Sequence, residues 1–238
     1  MNLLNKNIVI TGASRGLGLE ISKKFSQQGA NLILCARDLD ELKVSSKTLI
    51  DEKKDLQKIY TIKADVSNKN DVKNLYNETI KKLNGCDVII NNAGVYGAFG
   101  NIEEINWDEW LEGININLFG SVMVCKEFIP YFKNQSHGKI IQISGGGATT
   151  PMPKISSYAV SKAAIVRFIE SISLELEEYG IYANCVAPGL MNTEMLRNVI
   201  DAGPDKVGVP FYKKMLDFEN KTTDYNKILD LIIFLSTK

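Results

Sequence analysis

The chain has 238 residues, of which 45 % are hydrophobic and 24 % are charged, as is usual for a globular protein. Its 28 basic and 28 acidic side chains leave no net charge, which argues against a nucleic-acid-binding protein and against a polybasic membrane anchor. A chain of this length buries enough surface to fold without disulfides or structural metals.

Short apolar runs alternate with longer amphipathic stretches along the whole chain. Strands are predicted at Asn7–Thr11, Asn31–Cys35, Lys58–Lys63, Asp87–Ile90, Lys139–Ser144 and Ile181–Ala187. Helices are predicted at Leu17–Gln28, Asp38–Lys54, Lys69–Leu83, Trp107–Phe132, Ser156–Tyr179 and Asp224–Leu235. Short strands without polar alternation are typical of a parallel sheet covered on both faces. The sequence therefore predicts one α/β domain over 1–238, a doubly wound, Rossmann-like parallel sheet of six or seven strands with helices on both faces.

A glycine-rich loop joins the first predicted strand to the first predicted helix. In Thr11-Gly-Ala-Ser-Arg-Gly-Leu-Gly18, glycines stand at 12, 16 and 18. Gly12 permits a tight turn, Gly16 lets the backbone approach a pyrophosphate, and Gly18 lets helix and strand pack closely. Free N–H groups at the start of the helix then face the phosphates. This loop predicts dinucleotide binding.

The end of the second strand indicates which cofactor is preferred. An acid there bonds a ribose 2′-hydroxyl, whereas arginine accommodates a 2′-phosphate. The strand ends in Cys35-Ala36-Arg37, with Asp38 directly after, and Arg15 in the glycine loop is a second cation on the same side. Two guanidinium groups suit a phosphate dianion, so we expect NADP(H) to be preferred over NAD(H).

Six motifs in order resemble those of the short-chain dehydrogenase/reductase family. They are Thr11–Gly18, Asp65-Val66, Asn91-Asn92-Ala93-Gly94, Asn117, Tyr158-Ala-Val-Ser-Lys162, and Pro188-Gly189 with Thr193. The resemblance runs from about Asn5 to Leu235. It implies an NADP-dependent oxidoreductase of carbonyl reductase type, acting on a small carbonyl or alcohol substrate and assembled as a homodimer or homotetramer.

The resemblance also implies roles for individual residues. Tyr158 would be the acid/base, Lys162 its activator and Asn117 part of a proton relay, with Asp65 and Val66 at the adenine and Pro188, Gly189 and Thr193 at the nicotinamide. The implied cofactor-binding residues are Gly12, Ser14, Arg15, Gly16, Leu17, Gly18, Arg37, Asp65, Val66, Asn92, Ala93, Gly94, Tyr158, Lys162, Pro188, Gly189 and Thr193.

The spacing of Tyr158 and Lys162 supports the same chemistry without the family. The two residues are i and i+4 on a predicted helix and therefore share a face. A free tyrosine titrates near 10, too high for efficient proton transfer at neutral pH. We expect the nearby ammonium, together with an oxidised nicotinamide, to favour the phenolate and lower the pKa of Tyr158.

The sequence departs from the family pattern where a serine normally stands 13 residues before the tyrosine. Position 145 is glycine, and Ser144 is one residue early, so on an extended strand its side chain points the other way. Three alternatives stay open: a site rebuilt around Ser144 or a backbone amide, a slow or specialised reductase, and a nucleotide-binding sensor or scaffold with weak or no turnover. Removing one such donor typically costs about 10²–10³-fold in rate.

Other features concern the substrate and the C-terminus. The segment 188–215 is expected to form a mobile lid, and family geometry would place Tyr96, Phe99, Met152, Pro153, Met191 and Met195 around the substrate. The seventh strand usual in the family is not expected, because the chain ends at Lys238. Epimerisation or dehydration of a sugar nucleotide is a weaker alternative, since such enzymes usually carry an added domain.

Rare residues restrict the remaining possibilities. A single histidine, His137, excludes a metal site with two histidine ligands, and no metal is expected. The four cysteines, Cys35, Cys86, Cys125 and Cys185, contain no CxxC pair and lie in or beside apolar runs, which predicts reduced thiols. No signal sequence or membrane span is evident, so we expect a cytoplasmic protein.

Overall fold

The computed structural model describes residues 3–54 and 56–237. Its strands are β1 (Asn7–Thr11), β2 (Asn31–Ala36), β3 (Ile59–Lys63), β4 (Val88–Asn91), β5 (Gly138–Ile143) and β6 (Ile181–Val186). In this part of the chain they form one parallel sheet in the order β3-β2-β1-β4-β5-β6. The order reverses between β1 and β4, and a ligand crevice is expected where these two strands end.

Helices connect the strands. They are α1 (Gly16–Gln27), α2 (Leu39–Asp51), α3 (Lys69–Leu83), α4 (Trp107–Ile114), α5 (Ser121–Gln135), α6 (Ser156–Leu176), α7 (Glu194–Val207), α8 (Val209–Glu219) and α9 (Asn226–Thr237). A π-helical turn, Asn115–Gly120, joins α4 to α5 without a break.

Two apolar layers cover the two faces of the sheet. On β1, Ile8 and Ile10 face a layer that includes Phe25 of α1 and Ile232 of α9. Val9 faces the opposite layer, which α3, α5 and α6 complete. The strands are apolar on both faces because both faces are buried. The predicted doubly wound, Rossmann-like sheet is therefore confirmed, with six strands in the described residues.

The segment between β6 and α9 is the part of the fold that the sequence described least well. No helix was predicted in this segment because of its glycines and prolines. The structure shows that it forms α7 and α8. Gly203, with φ +80°, kinks α7 just before Pro204, and Gly208, with φ +83°, separates the two helices. A small apolar core holds them together, formed by Leu196, Val199, Val207 and Met215.

Substitution of Phe128 tests how much the apolar layer beneath α5 contributes to stability. Its ring is fully buried and contacts the rings of Tyr76 (centroids 5.3 Å apart) and Phe132 (6.3 Å). Phe128→Ala is expected to lower the free energy of unfolding by about 3–5 kcal/mol, because it leaves a cavity that rigid strands cannot fill. Chemical denaturation measures this loss. The control Leu174→Ala, at a side chain 76 % exposed, should change stability by less than about 0.5 kcal/mol. Equal losses in the two variants would contradict the prediction.

Candidate active site

The ends of β1 and β4 are tied together at the crevice. The Thr11 hydroxyl accepts hydrogen bonds from the backbone N–H groups of Asn92 (3.0 Å) and Ala93 (3.1 Å). The Asn92 side-chain amide donates to the carbonyls of Thr11 and Gly12, both at 3.0 Å. Asn91 turns to the other side of the sheet and donates to Cys125 Sγ (3.3 Å). Asn92 and its neighbours thus fix the crevice, and Asn91 fixes the layer beneath it.

The glycine loop leaves room where a phosphate would lie. Gly12 has φ +63°, and a Cβ built there would lie 2.8 Å from the Cα of Ala93. A Cβ on Gly18 would collide with the Gly12 carbonyl oxygen. Helix α1 begins at Gly16 with no side-chain cap and no acid in its first turn. Its free N–H groups therefore fit the pyrophosphate of a dinucleotide.

A cavity of about 640 Å³ extends from this loop to α6. Sixteen of the predicted cofactor residues line it: Gly12, Ser14, Arg15, Gly16, Leu17, Arg37, Asp65, Val66, Asn92, Ala93, Gly94, Tyr158, Lys162, Pro188, Gly189 and Thr193. Ser144 also lines it. Gly18 instead packs against Gly12 and Asn92 behind the wall. The structure thus brings together motifs that are up to 181 positions apart in the sequence.

Both arginines expected at the 2′-position have carboxylate partners. Arg15 Nη1 lies 3.4 Å from Glu41 Oε1 and 2.7 Å from Glu194 Oε2. Arg37 Nη1 lies 3.2 Å from Glu112 Oε1. All these side chains are at least one-third exposed, so each pair is weak and a phosphate competes for the guanidinium groups.

Two acids beside the arginines belong to the start of α2. Asp38 Oδ1 caps the helix by accepting from the N–H groups of Asp40 and Glu41, both at 2.9 Å. Glu41 accepts from the Ser14 hydroxyl at 3.1 Å, which ties the glycine loop to α2. The sequence analysis missed this role of Glu41. Glu41 stands three residues after the cap Asp38, as in a capping box, and this spacing places it on the first turn of α2. The spacing could not show that Glu41 contacts Ser14.

Tyr158 and Lys162 lie on the cavity side of α6, and both are nearly fully buried. Lys162 Nζ donates to the carbonyl of Ile143 at 3.1 Å and lies 5.6 Å from the centre of the Tyr158 ring. The end of β5 therefore holds the ammonium beside the phenol, as the i,i+4 spacing predicts.

Burial shifts both groups towards their neutral forms. It lowers the pKa of Lys162 to about 8 and raises the pKa of Tyr158 to about 12. The direction for Tyr158 in this structure is opposite to the one expected from the neighbouring ammonium. The cause is burial: the ring is removed from water on almost every side, which disfavours the charged phenolate.

Asn117 holds the loop that follows β4. Its Oδ1 accepts from the Val95 N–H (2.8 Å), and its Nδ2 donates to the Val95 carbonyl (2.8 Å) and to Ser161 Oγ (3.0 Å). A Cβ on Gly94 would lie 3.2 Å from Asn117 Oδ1 and 3.4 Å from Lys162 Nζ. Asn117 thus lies behind the cavity wall with its amide engaged, next to the lysine.

Gly145 faces the hydroxyl of Tyr158. A Cβ built on Gly145 would collide with that oxygen and lie 3.1 Å from Tyr158 Cζ. Ser144 has a buried hydroxyl with no hydrogen-bond partner among the described residues. Its N–H donates to the Val186 carbonyl at 2.9 Å. Position 145, rather than 144, therefore points at the phenol, and the glycine makes room for it.

Aromatic rings from the loop after β4 and from α8 form a cluster with Tyr158. The Tyr96 ring lies 4.8 Å from that of Tyr158, 5.6 Å from Phe99 and 6.4 Å from Phe211 on α8. Of the predicted pocket residues, Tyr96, Met152, Met191 and Met195 line the cavity, whereas Phe99 and Pro153 do not. The sequence analysis missed Phe211, because no local pattern connects it to a loop after β4.

The cysteines of the described residues are all free thiols. Cys35, Cys86, Cys125 and Cys185 are free, and burial raises the pKa of each thiol. Three are buried and Cys185 is half-buried. No group of three or more His, Cys, Asp or Glu side chains within 3–54 and 56–237 is placed to hold a metal ion. In the same ranges no helix combines the length and apolar character needed to cross a membrane.

A family model described as "short chain dehydrogenase" matches residues 6–203. The chain belongs to the short-chain dehydrogenase family of oxidoreductases. A relative from Arabidopsis thaliana, "11-beta-hydroxysteroid dehydrogenase-like 3", is 35 % identical over 199 residues, which cover 82 % of this chain and 62 % of the relative. The chain thus spans less than two-thirds of that protein's length.

Solved structures share the fold at lower identity. The chain is similar to NAD⁺-bound xylitol dehydrogenase, with a TM-score of 0.88, 22 % identity, and coverage of 100 % of this chain and 94 % of that one. It is also similar to a gluconate 5-dehydrogenase from Burkholderia cenocepacia in complex with NADP and tartrate, with a TM-score of 0.84, 24 % identity, and coverage of 98 % and 89 %. The TM-scores show that the overall fold is shared.

The space at Gly145 predicts the outcome of restoring a serine. Gly145→Ser and Gly145→Ala are both expected to lower kcat by about 10²-fold, because the new Cβ displaces the Tyr158 hydroxyl by an ångström or more. The measurement is NADPH oxidation with the best ketone from a panel.

Gly146→Ala is the matched control. A Cβ there meets nothing within 4 Å, so activity should stay within about twofold. Cofactor affinity, measured by fluorescence titration, should be unchanged in all three variants. A Gly145→Ser variant faster than the parent would show that a missing hydroxyl donor, and not space for Tyr158, limits the reaction.

Proposed function

We propose that the protein transfers a hydride between NADP(H) and a carbonyl or secondary alcohol substrate, with Tyr158 as the acid/base. The observation that carries this proposal is the buried Tyr158–Lys162 pair at the end of the cavity that starts at the glycine loop. A cytoplasmic location and a homodimer or homotetramer are further proposals. The oligomeric state rests on the family resemblance, and the location rests on the four free cysteines, because reduced thiols are usual in the cytosol.

Different residues would bind the cofactor and transfer the proton. Gly12, Gly16 and the start of α1 would hold the pyrophosphate, and Pro188, Gly189 and Thr193 the nicotinamide end. The bound cofactor supplies the hydride. Tyr158 donates the proton to the carbonyl oxygen or, in the reverse direction, removes it from the alcohol.

Lys162 supports that proton transfer. The Lys162 ammonium, held by the Ile143 carbonyl, stabilises the phenolate that forms as Tyr158 gives up its proton. Ser144 lines the cavity, but position 145 rather than 144 points at Tyr158, so its buried, unpartnered hydroxyl would replace the missing serine only after a shift of the strand end at the glycines that follow. Asn117 fixes the backbone at Val95 and, through Ser161, the helix that carries both groups.

The proposed preference for NADP(H) is supported by Arg15 and Arg37, which line the cavity at the end of β2. Asp38 follows Arg37 and lines the same cavity, but its Oδ1 is engaged in capping α2. The glutamates now paired with the two arginines would give way to a phosphate dianion, which forms stronger charged hydrogen bonds.

Substitution of the pair tests the mechanism. Tyr158→Phe is expected to lower kcat by about 10²–10⁴-fold, because it removes the proton donor and keeps the ring. NADPH oxidation with a ketone and NADP⁺ reduction with an alcohol both measure it. Tyr179→Phe, remote from the cavity, is the control and should retain full activity. Full kcat in Tyr158→Phe would exclude the mechanism, and cofactor binding without any turnover in the parent would favour a sensor or scaffold.

The pKa of Lys162 predicts the pH dependence. At about 8 it lies below the usual value for lysine, so the charge is present below pH 8 and lost above it. For carbonyl reduction, kcat/KM for the cofactor should therefore fall as pH rises through about 8. A pH profile of the Lys162→Met variant should be low and lack this limb. A parent profile that rises through pH 8 would contradict the assigned role of the ammonium.

Cofactor preference is tested at the arginines. Arg15→Ala and Arg37→Ala should each raise KM for NADPH about 10–100-fold and leave KM for NADH nearly unchanged, because each removes a charged hydrogen bond to the 2′-phosphate. Glu112→Gln, which releases Arg37 from its partner, should lower KM for NADPH. Arg167→Ala, at an exposed arginine on α6, is the control. Equal effects on NADPH and NADH would contradict the preference.

A further inference from the structure

We propose that the substrate carries its carbonyl or hydroxyl group on a rigid apolar skeleton, alicyclic or aromatic, and that a polyhydroxylated sugar is a poor substrate. This inference rests on the hydride-transfer function proposed above and concerns the same site. It comes from the walls of the cavity on the side of Tyr158, which the cofactor motifs do not form.

An aromatic wall begins at the reacting group. The Tyr96 ring packs on the Tyr158 ring (centroids 4.8 Å apart), and Phe211 meets Tyr96 nearly edge-on, with an interplanar angle of 83°. Phe99 packs behind Tyr96 and keeps its ring in place. A substrate whose oxygen reaches the Tyr158 hydroxyl must therefore lie along these rings. Aromatic faces favour contact with flat or saturated carbon rings.

The lid completes the wall with aliphatic and thioether side chains. The cavity is lined here by Met152 and by three residues of the lid, Leu190, Met195 and Leu196. Leu190 and Leu196 also pack in the apolar core of α7 and α8. Methionine side chains adapt to irregular apolar shapes. The surface that faces the body of the substrate is therefore predominantly carbon and sulfur.

Polar side chains on this side suit one oxygen atom rather than several. Ser144 has a buried, unpartnered hydroxyl, but position 145 rather than 144 points at the phenol, so the Tyr158 hydroxyl is the group that meets the substrate oxygen. Glu194 lies against Arg15 of the glycine loop, at the end of the cavity assigned to the cofactor, and the exposed Lys214 lies at the cavity rim. Burial raises the pKa of both Tyr96 and Tyr158, as expected where little water enters. Each additional substrate hydroxyl would lose its water without a partner in the wall.

The test compares two ketone classes with the parent enzyme at saturating NADPH. The apolar probes are 2-decalone and 1-tetralone, and the polar probes are dihydroxyacetone and D-fructose. We expect kcat/KM for the better apolar ketone to exceed that for the better polar ketone by at least 100-fold, since several unpaired hydroxyls multiply the discrimination.

A lid variant identifies the wall as the cause. Phe211→Ser should lower kcat/KM for 2-decalone at least tenfold, mainly through KM, with little change for dihydroxyacetone. Leu216→Ser, on the same helix but outside the cavity wall, is the matched control and should change neither value by more than twofold. Circular dichroism and NADPH titration verify that both variants fold.

The outcomes separate this inference from the function it rests on. Preference for the polyhydroxylated ketones, or an equal loss for both classes in Phe211→Ser, overturns the substrate class and leaves hydride transfer standing. Turnover of neither class by an enzyme that binds NADPH overturns the proposed function, and the substrate class with it. Preference for the apolar ketones that Phe211→Ser removes supports both.

Discussion

The close approach of two strand ends is the constraint on which the rest of this structure depends. Hydrogen bonds join Thr11 at the end of β1 to Asn92 after β4. The two segments lie so close together that no side chain fits at Gly12 or Gly18. This contact fixes where α1 begins, and hence where its free N–H groups point. It also opens the crevice between the halves of the sheet, because the strand order reverses there. The cavity, its arginines and the Tyr158–Lys162 pair are arranged around that crevice.

The sequence was sufficient to predict the sheet and insufficient to predict the helices α7 and α8. Strands such as β1 are short apolar runs next to glycine, and their pattern reflects burial on both faces, which depends little on distant details. The helices α7 and α8 contain Gly203, Pro204 and Pro210, which normally end helices. Here the glycine takes up the kink and Pro210 lies in the first turn of α8, where no N–H is needed. Packing on Val199 and Met215 outweighed local propensity.

The candidate site, too, could be predicted from the sequence only in part. The i,i+4 spacing placed Tyr158 and Lys162 together, and strand alternation correctly separated the directions of Ser144 and Gly145. Spacing could not reveal burial, and burial decided the direction of the pKa shift at Tyr158. Nor could it reveal the carboxylates on Arg15 and Arg37, because Glu41, Glu112 and Glu194 come from three separate helices. Contacts between distant elements were the part that local pattern could not supply.

The π-helical turn between α4 and α5 has a consequence for how this region can change. Consecutive residues of an α-helix point about 100° apart, yet Ile116 and Asn117 are both buried, because the turn is wider than an α-helical one. The turn shifts the phase of the helix. Trp110 before it bonds Ser156 on α6, whereas Phe128 after it fills the layer beneath the sheet. Deleting one residue from this turn would rotate α4 relative to α5 by about a quarter of a revolution. The length of this turn therefore sets how α4 and α5 are aligned, each against its own packing partners.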